Sequence, residues 1–189
     1  MPEPAAHASS QRAEGNRRDL TIFGMMAFGI ISLDQLTKFW AQEYLLPRRT
    51  AGEGPIEFLG GLLKLTYAEN TGAAFSIGTG ITWVFTLIAF GVVFVIFRYA
   101  RRLASLPWAL ALGGLLGGSI GNLIDRMFRA PGPFQGFVVD FLQLPYWAIF
   151  NIADMSIVIS GIVIAILLVR EIPIDGKPVP IEAPDGSNS

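Results

Sequence analysis

The sequence predicts an all-α membrane protein, with four transmembrane helices and a small extracytoplasmic β-sheet. Three observations lead there. Apolar segments at 20–40, 75–97, 103–124 and 147–169 each reach the roughly 20 residues that a helix needs to cross a bilayer core of about 30 Å. Hydrophobic residues make up 52% of the 189-residue chain and charged residues 15%, which leaves too little polar surface for a soluble bundle built from four such segments. The cationic residues also sort to one side. Arg12, Arg17 and Arg18 precede the first segment, Arg98, Arg101 and Arg102 link the second to the third, and Arg170 follows the fourth. They share a membrane face only if there are four spans and both termini are cytoplasmic.

Taken in order, residues 1–19 are polar and rich in Ala, Ser, Glu and Arg, and are expected to form a disordered cytoplasmic tail. Arginines followed by an apolar run resemble a signal peptide. This run is longer, however, and no small-x-small cleavage site follows it, so it is expected to be retained. The membrane domain then occupies 20–171, with an extracytoplasmic loop at about 41–74. Pro47, Gly52, Gly54, Pro55, Gly60 and Gly61 break up that loop around Leu-Leu-Lys-Leu-Thr-Tyr at 62–67, a strand candidate for a sheet on the outer membrane surface. Trp40, Trp83, Trp108 and Trp147 lie near segment ends, as interfacial aromatics do. In the third segment Gly113, Gly117 and Gly121 recur every four residues beside Gly114 and Gly118. This makes a close-packing face for helices in lipid, or a smooth groove for a helical peptide. Residues 172–189 are rich in Pro, Gly and acidic groups and are expected to be a disordered cytoplasmic tail.

Composition narrows the chemistry. A net charge of −1 offers no general basic field for nucleic acid. The absence of cysteine excludes disulfides, Cys-ligated metal and a thiol nucleophile. The single histidine, His7, lies in the N-terminal stretch, so a Ser-His triad lacks its base and a His-rich zinc site its ligands. Carboxylate chemistry, transport or membrane binding remain, with no metal or cofactor expected.

Polar residues interrupt the apolar segments at four places that the topology brings to one face, the outer one. These are Asp34 and Lys38, Asn70, Asn122 to Arg126, and Asn151 to Asp154. Ionisable groups in such surroundings mark a functional site by default. Asp140 lies within Val-Val-Asp-Phe-Leu, and Asp154 opens a helix three residues after Asn151, on the same helical face. Two carboxylates brought together in apolar surroundings share one proton. The charged partner then takes a proton from water while the neutral one donates to a peptide carbonyl. Asp34 and Lys38, at i and i+4, are placed to pair. Asp125 and the adjacent Arg126 read as an ion pair anchoring a helix end, or Arg126 and Asn122 as holders of substrate carbonyls. Arg129 reads as solvated. Asn70 can reach the site from the loop, where Gly72, Ala73 and Ala74 permit close approach by another chain. A proton-coupled transporter is the competing class, but its acids would form a relay across the bilayer rather than gather at one face. A scaffold or lipid-binding protein would tolerate loss of both aspartates.

The blocks D-Q-L-T-K (34–38), N-T-G-A-A-F-S (70–76), G-N-L-I-D-R (121–126), V-V-D-F (138–141) and F-N-I-A-D (150–154) resemble, in order, those of the lipoprotein signal peptidase (signal peptidase II) family of bacterial membrane aspartic proteases. The resemblance covers about 20–170. It implies cleavage of prolipoproteins before a diacylglyceryl-modified cysteine, with Asp140 and Asp154 as the dyad. It also implies supporting or substrate-contacting roles for Asp34, Lys38, Asn70, Gly72, Asn122, Asp125, Arg126 and Asn151. Membrane lipid and lipid-modified prolipoproteins are the implied partners, globomycin-type cyclic peptides the implied inhibitors, and the bacterial inner membrane the implied location. A monomer is expected, because the substrate must enter sideways. Relative to the family, the 126–140 link looks longer and the 140–154 link shorter.

Overall fold

The computed structural model describes residues 4–72 and 82–176, with side chains from residue 16 onward. Among the described residues, four helices are long and apolar enough to cross a membrane: α1 (Pro4–Thr50), α2 (Thr82–Ala100), α3 (Leu106–Phe128) and α4 (Ile152–Val169). Three short strands, β1 (Ile56–Phe58), β2 (Leu63–Asn70) and β3 (Val138–Gln143), form one antiparallel sheet in the order β1-β2-β3.

α1 departs from the expected first span at both ends. It begins at Pro4, inside the stretch read as a disordered tail, where Ala5, Ala6, Ala8, Gln11, Ala13 and Glu14 are strong helix formers. It also runs on to Thr50, past the expected exit near Trp40 and through Pro47 in its last turns. At 1.5 Å per residue its 47 residues extend about 70 Å, well beyond a bilayer core. The overhang supports the sheet: Ala41 and Leu45 of α1 bury against Tyr67 of β2 and Val139 and Phe141 of β3.

α3 is the hub of the bundle, and its glycines explain why. A methyl on Gly113 would meet the Phe23 carbonyl at 2.7 Å, and one on Gly117 the Ile30 Cβ at 2.7 Å, so this stripe lies flush on α1. Gly114 and Gly118 form a second stripe against α4, where a Cβ would stand 2.5 Å from Ser160 Oγ and from the Ala153 carbonyl. Ser156 Oγ donates to the Gly114 carbonyl at 2.8 Å. Both stripes are covered by the protein's own helices, so they serve packing, and the reading of a groove for substrate falls.

Two further expectations change. Trp108 is buried, and its indole Nε1 donates to the Ile172 carbonyl at 2.8 Å, so it is not an interfacial aromatic. Residues 172–176, expected to begin a disordered tail, pack back on the link between α2 and α3, where Ala104 N donates to the Ile174 carbonyl at 2.9 Å. The expected start of the second span at 75–81, the close-approach residues Ala73 and Ala74, and the tail beyond 176 lie outside the described residues.

Candidate active site

β3 is the element that positions Asp140. Its flanking residues Val138, Val139 and Phe141 are buried, and Asp140 itself is 2% exposed. β3 pairs with β2 in a register that sets Ala68 opposite Asp140 and Asn70 opposite Val138. Asn70 is therefore the diagonal neighbour of Asp140, within side-chain reach. Its Nδ2 donates to Asp140 Oδ2 at 2.9 Å, while its Oδ1 accepts from Gly72 N at 3.1 Å. The far end of β3 turns back at once. Phe150 N donates to the Leu142 carbonyl at 2.9 Å, and Leu142 N to the Phe150 carbonyl at 2.9 Å, which delivers Asn151 alongside Asp140.

Asn151 caps α4. Its Oδ1 accepts from Asp154 N at 2.9 Å, and its own N donates to Asp154 Oδ2 at 3.2 Å, a reciprocal capping box. Its Nδ2 points the other way, to Asp140 Oδ1 at 2.7 Å. One residue thus bonds both carboxylates. A second amide reinforces the bridge: Asn122 Nδ2 donates to Asp154 Oδ1 at 2.8 Å, and Asn122 Oδ1 accepts from Asn151 Nδ2 at 3.3 Å. Burial pushes the Asp140 carboxyl up to about 7, and the nearby Asp154 charge adds to this, against the N–H donors of Asn70 and Asn151. Asp154 is only half-buried and borders a groove of about 270 Å³ lined by Trp147, Phe150, Met155, Val158 and Ile159.

Behind the amides lies a buried ionic cluster. Lys38 Nζ is 2.8 Å from Asp34 Oδ2, 3.0 Å from Asp125 Oδ2 and 2.9 Å from Asn122 Oδ1, so its three N–H donors meet three acceptors. The i, i+4 pairing of Asp34 and Lys38 is present, and Asp34 also accepts from Ala153 N at 2.9 Å in the first turn of α4. Asp125 differs from expectation. Its partners are Lys38 and Arg129, the latter at 2.7 Å, and not the adjacent Arg126, because neighbouring helical residues point about 100° apart. Arg129 is consequently not solvated. It closes the cluster and donates to Gln42 Oε1 at 2.6 Å. Arg126 instead holds two carbonyls of its own chain, Gly72 at 2.8 Å and Gly136 at 3.2 Å, and so ties the end of β2 to the loop before β3. Gly136 is required there, since a Cβ would strike the carbonyls of Asp125 and Arg126.

The sequence reading passed over Gln35 and Gln42, and took Arg129 for a solvated residue. Gln35 Nε2 bonds both Asp34 Oδ2 (3.1 Å) and the Gly121 carbonyl (3.0 Å). The i, i+4 spacing of Asp125 and Arg129 was a usable signal. Nothing in the sequence points to a contact between Gln42 and Arg129.

Comparison with known proteins places the chain in a family. The family model described as Signal peptidase (SPase) II matches residues 26–170. The chain is 47% identical over 150 residues to the lipoprotein signal peptidase of Mycobacterium leprae (strain Br4923), covering 79% of this chain and 72% of that one. It is 46% identical over 166 residues to the lipoprotein signal peptidase of Streptomyces coelicolor, covering 88% and 78%. A bacterial membrane enzyme solved by the in meso method at 2.3 Å superposes with a TM-score of 0.64 at 27% identity, covering 82% of this chain and 93% of that one. With most of its length matched by the family model and by these relatives, the chain belongs to the signal peptidase II family.

Proposed function

We propose that this protein is an intramembrane aspartic endopeptidase. It removes signal peptides from diacylglyceryl-modified prolipoproteins by cutting just before the lipidated cysteine. The single observation that carries the mechanism is the Asn151 bridge, which donates to Asp140 at 2.7 Å and to Asp154 at 3.2 Å. Two carboxylates held this close favour a singly protonated pair. Asp140 is the buried partner and keeps the proton, which it donates to the scissile carbonyl. Asp154 faces the groove, accepts two N–H bonds and sits at a helix N-terminus, where negative charge is stabilised. It takes a proton from the attacking water. The water oxygen bonds to the carbonyl carbon, and the tetrahedral intermediate collapses as the amine leaves with a proton from the pair.

The supporting residues take roles that follow from their contacts. Asn70, Asn122 and Asn151 orient the two carboxylates. Asp34, Lys38 and Asp125 hold Asn122 and the first turn of α4 in place, and Arg126 fixes the loop that carries Gly72. The arginines at the α2–α3 link support a cytoplasmic position for that end of the bundle, and with it a site near the outer face. The groove beside Asp154 is apolar, as acyl chains and a signal helix require.

The test is incubation of the purified protein with a diacylglyceryl-modified prolipoprotein. A gel shift from loss of the signal peptide, blocked by globomycin, is expected. Asp140→Asn and Asp154→Asn should each abolish the shift and leave the thermal transition in place. Cleavage that persists in either variant would overturn the assignment.

A further inference from the structure

β3 carries Asp140, yet it follows α3 only after the loop at 129–137, so the strand needs a tie to the helix bundle. Pairing with β2 sets the register of β3 along its length, but not its distance from α3. That distance is set one residue from the acid, where Val139 N donates to Asp125 Oδ2 at 3.1 Å. A carboxylate holds an N–H in one place only when the carboxylate itself cannot turn. Asp125 is gripped on both oxygens: Lys38 Nζ stands 3.0 Å from Oδ2, and Arg129 Nε donates to Oδ1 at 2.7 Å. Arg129 is fixed in turn by two further segments. Its Nη1 donates to Gln42 Oε1 of α1 at 2.6 Å, and its guanidinium lies 5.9 Å from the centre of the Phe137 ring, in the loop that leads into β3. Arg129 also balances charge, as the second cation in a cluster where Asp34 and Asp125 share Lys38.

We infer that Arg129 is a positioning residue for the reaction, locking Asp125 so that the Val139 bond holds Asp140 in place beside Asn151. The inference rests on the proposed role of Asp140 as proton donor. Nε and Nη1 of Arg129 are engaged by Asp125 and Gln42, so its effect passes through the protein and not through a contact with substrate. The leverage is geometric: a misplacement of about 1 Å at a reacting group can cost about 100-fold in rate. Arginine suits the position because its planar fork bonds two acceptors from different nitrogens while its face lies on an aromatic ring. A lysine, with one point charge, keeps the grip on Asp125 and loses the anchor on Gln42. A merely structural Arg129 would lower the thermal transition and leave turnover by the folded protein unchanged.

The test compares Arg129→Met, Arg129→Lys and Gln42→Leu as full chains in detergent, by steady-state cleavage of a diacylglyceryl-modified prolipoprotein and by amide hydrogen exchange of β3 without substrate. Arg129→Met should lower kcat at least about tenfold and leave KM within about twofold of wild type. It should also speed exchange at Val139. Arg129→Lys should recover kcat to within about threefold of wild type, because the ion pair with Asp125 returns. Gln42→Leu should move kcat and Val139 exchange in the same direction by less, and it carries the test if Arg129→Met does not fold. Wild-type kcat in Arg129→Met, a rise in KM alone, or Arg129→Lys no better than Arg129→Met overturns the inference. So does unchanged exchange at Val139. That exchange is read without cleavage, so a wild type that fails to cut prolipoprotein counts against the proposed activity, while undisturbed exchange counts against the brace.

Discussion

Replacing Lys38 by methionine keeps the length of the side chain and removes its charge. The consequence can be worked from the cluster. Asp125 retains Arg129 at 2.7 Å and the Val139 N–H at 3.1 Å, so it still has a cation. Asp34 retains only the neutral donors Gln35 and Ala153, and is left as a fully buried charge without a counter-ion. Breaking a buried pair in this way costs about 3–5 kcal/mol. If the charge on Asp34 is the cause, Lys38→Met combined with Asp34→Asn should recover most of the loss, to within about 2 kcal/mol of wild type, because a neutral amide needs no counter-ion. The assay is thermal and denaturant unfolding in detergent of the two single variants and the double, read as a double-mutant cycle. Prolipoprotein cleavage is followed alongside, because Asn122 Oδ1 loses the donor that fixes its amide orientation. A Lys38→Met protein as stable as wild type would refute the reasoning. So would a double variant no more stable than the single.

Other expectations follow from the same contacts. Asp140 binds its proton more tightly in the folded protein than in the unfolded chain, so stability should decline as pH rises from about 4 through 7, and this slope should vanish in Asp140→Asn. Cleavage should fall above about pH 7, roughly tenfold per pH unit, and a rate that stays flat to pH 9 would exclude Asp140 as the proton donor. Asn151→Ala removes a helix cap, for about 0.5–2 kcal/mol, and also removes the Nδ2 donor that ties Asp140 to the start of α4, so cleavage should drop at least about 100-fold, far more than stability alone explains. Gly118→Val drives a side chain into the Ala153 carbonyl and Ile157. It should cost about 1–3 kcal/mol and displace the first turn of α4, seen as a lower unfolding transition together with slower cleavage.

The four helices were legible because crossing a bilayer imposes a length and an apolar composition that few other constraints mimic. The site residues stood out for the converse reason, as polar groups where lipid-facing residues belong. Pairings within one helix turn were also readable, as with Asp34 and Lys38. What escaped were contacts set by tertiary register. Asp125 and Arg126 are adjacent in sequence, so a pair looked natural, yet the helix points them apart and sends Asp125 to Lys38 and Arg129. Val138–Gln143 gave no sign of pairing with Leu63–Asn70, because strand pairing across an intervening pair of helices leaves no local pattern. The strand at 62–67 was visible through its flanking glycines, but the helical overhang beneath it, running through Pro47 to Thr50, was not.

The double duty of Asn151 ties local folding to reactivity. One end of the side chain completes the opening turn of α4, and the other holds the acid on the sheet. The spacing of the two acids is therefore inherited from the geometry of a helix start, which varies little from one helix to the next. Asn70 and Asn122 add their own bonds to the two acids, but fraying of that single turn would loosen the spacing between them before the rest of the bundle came apart.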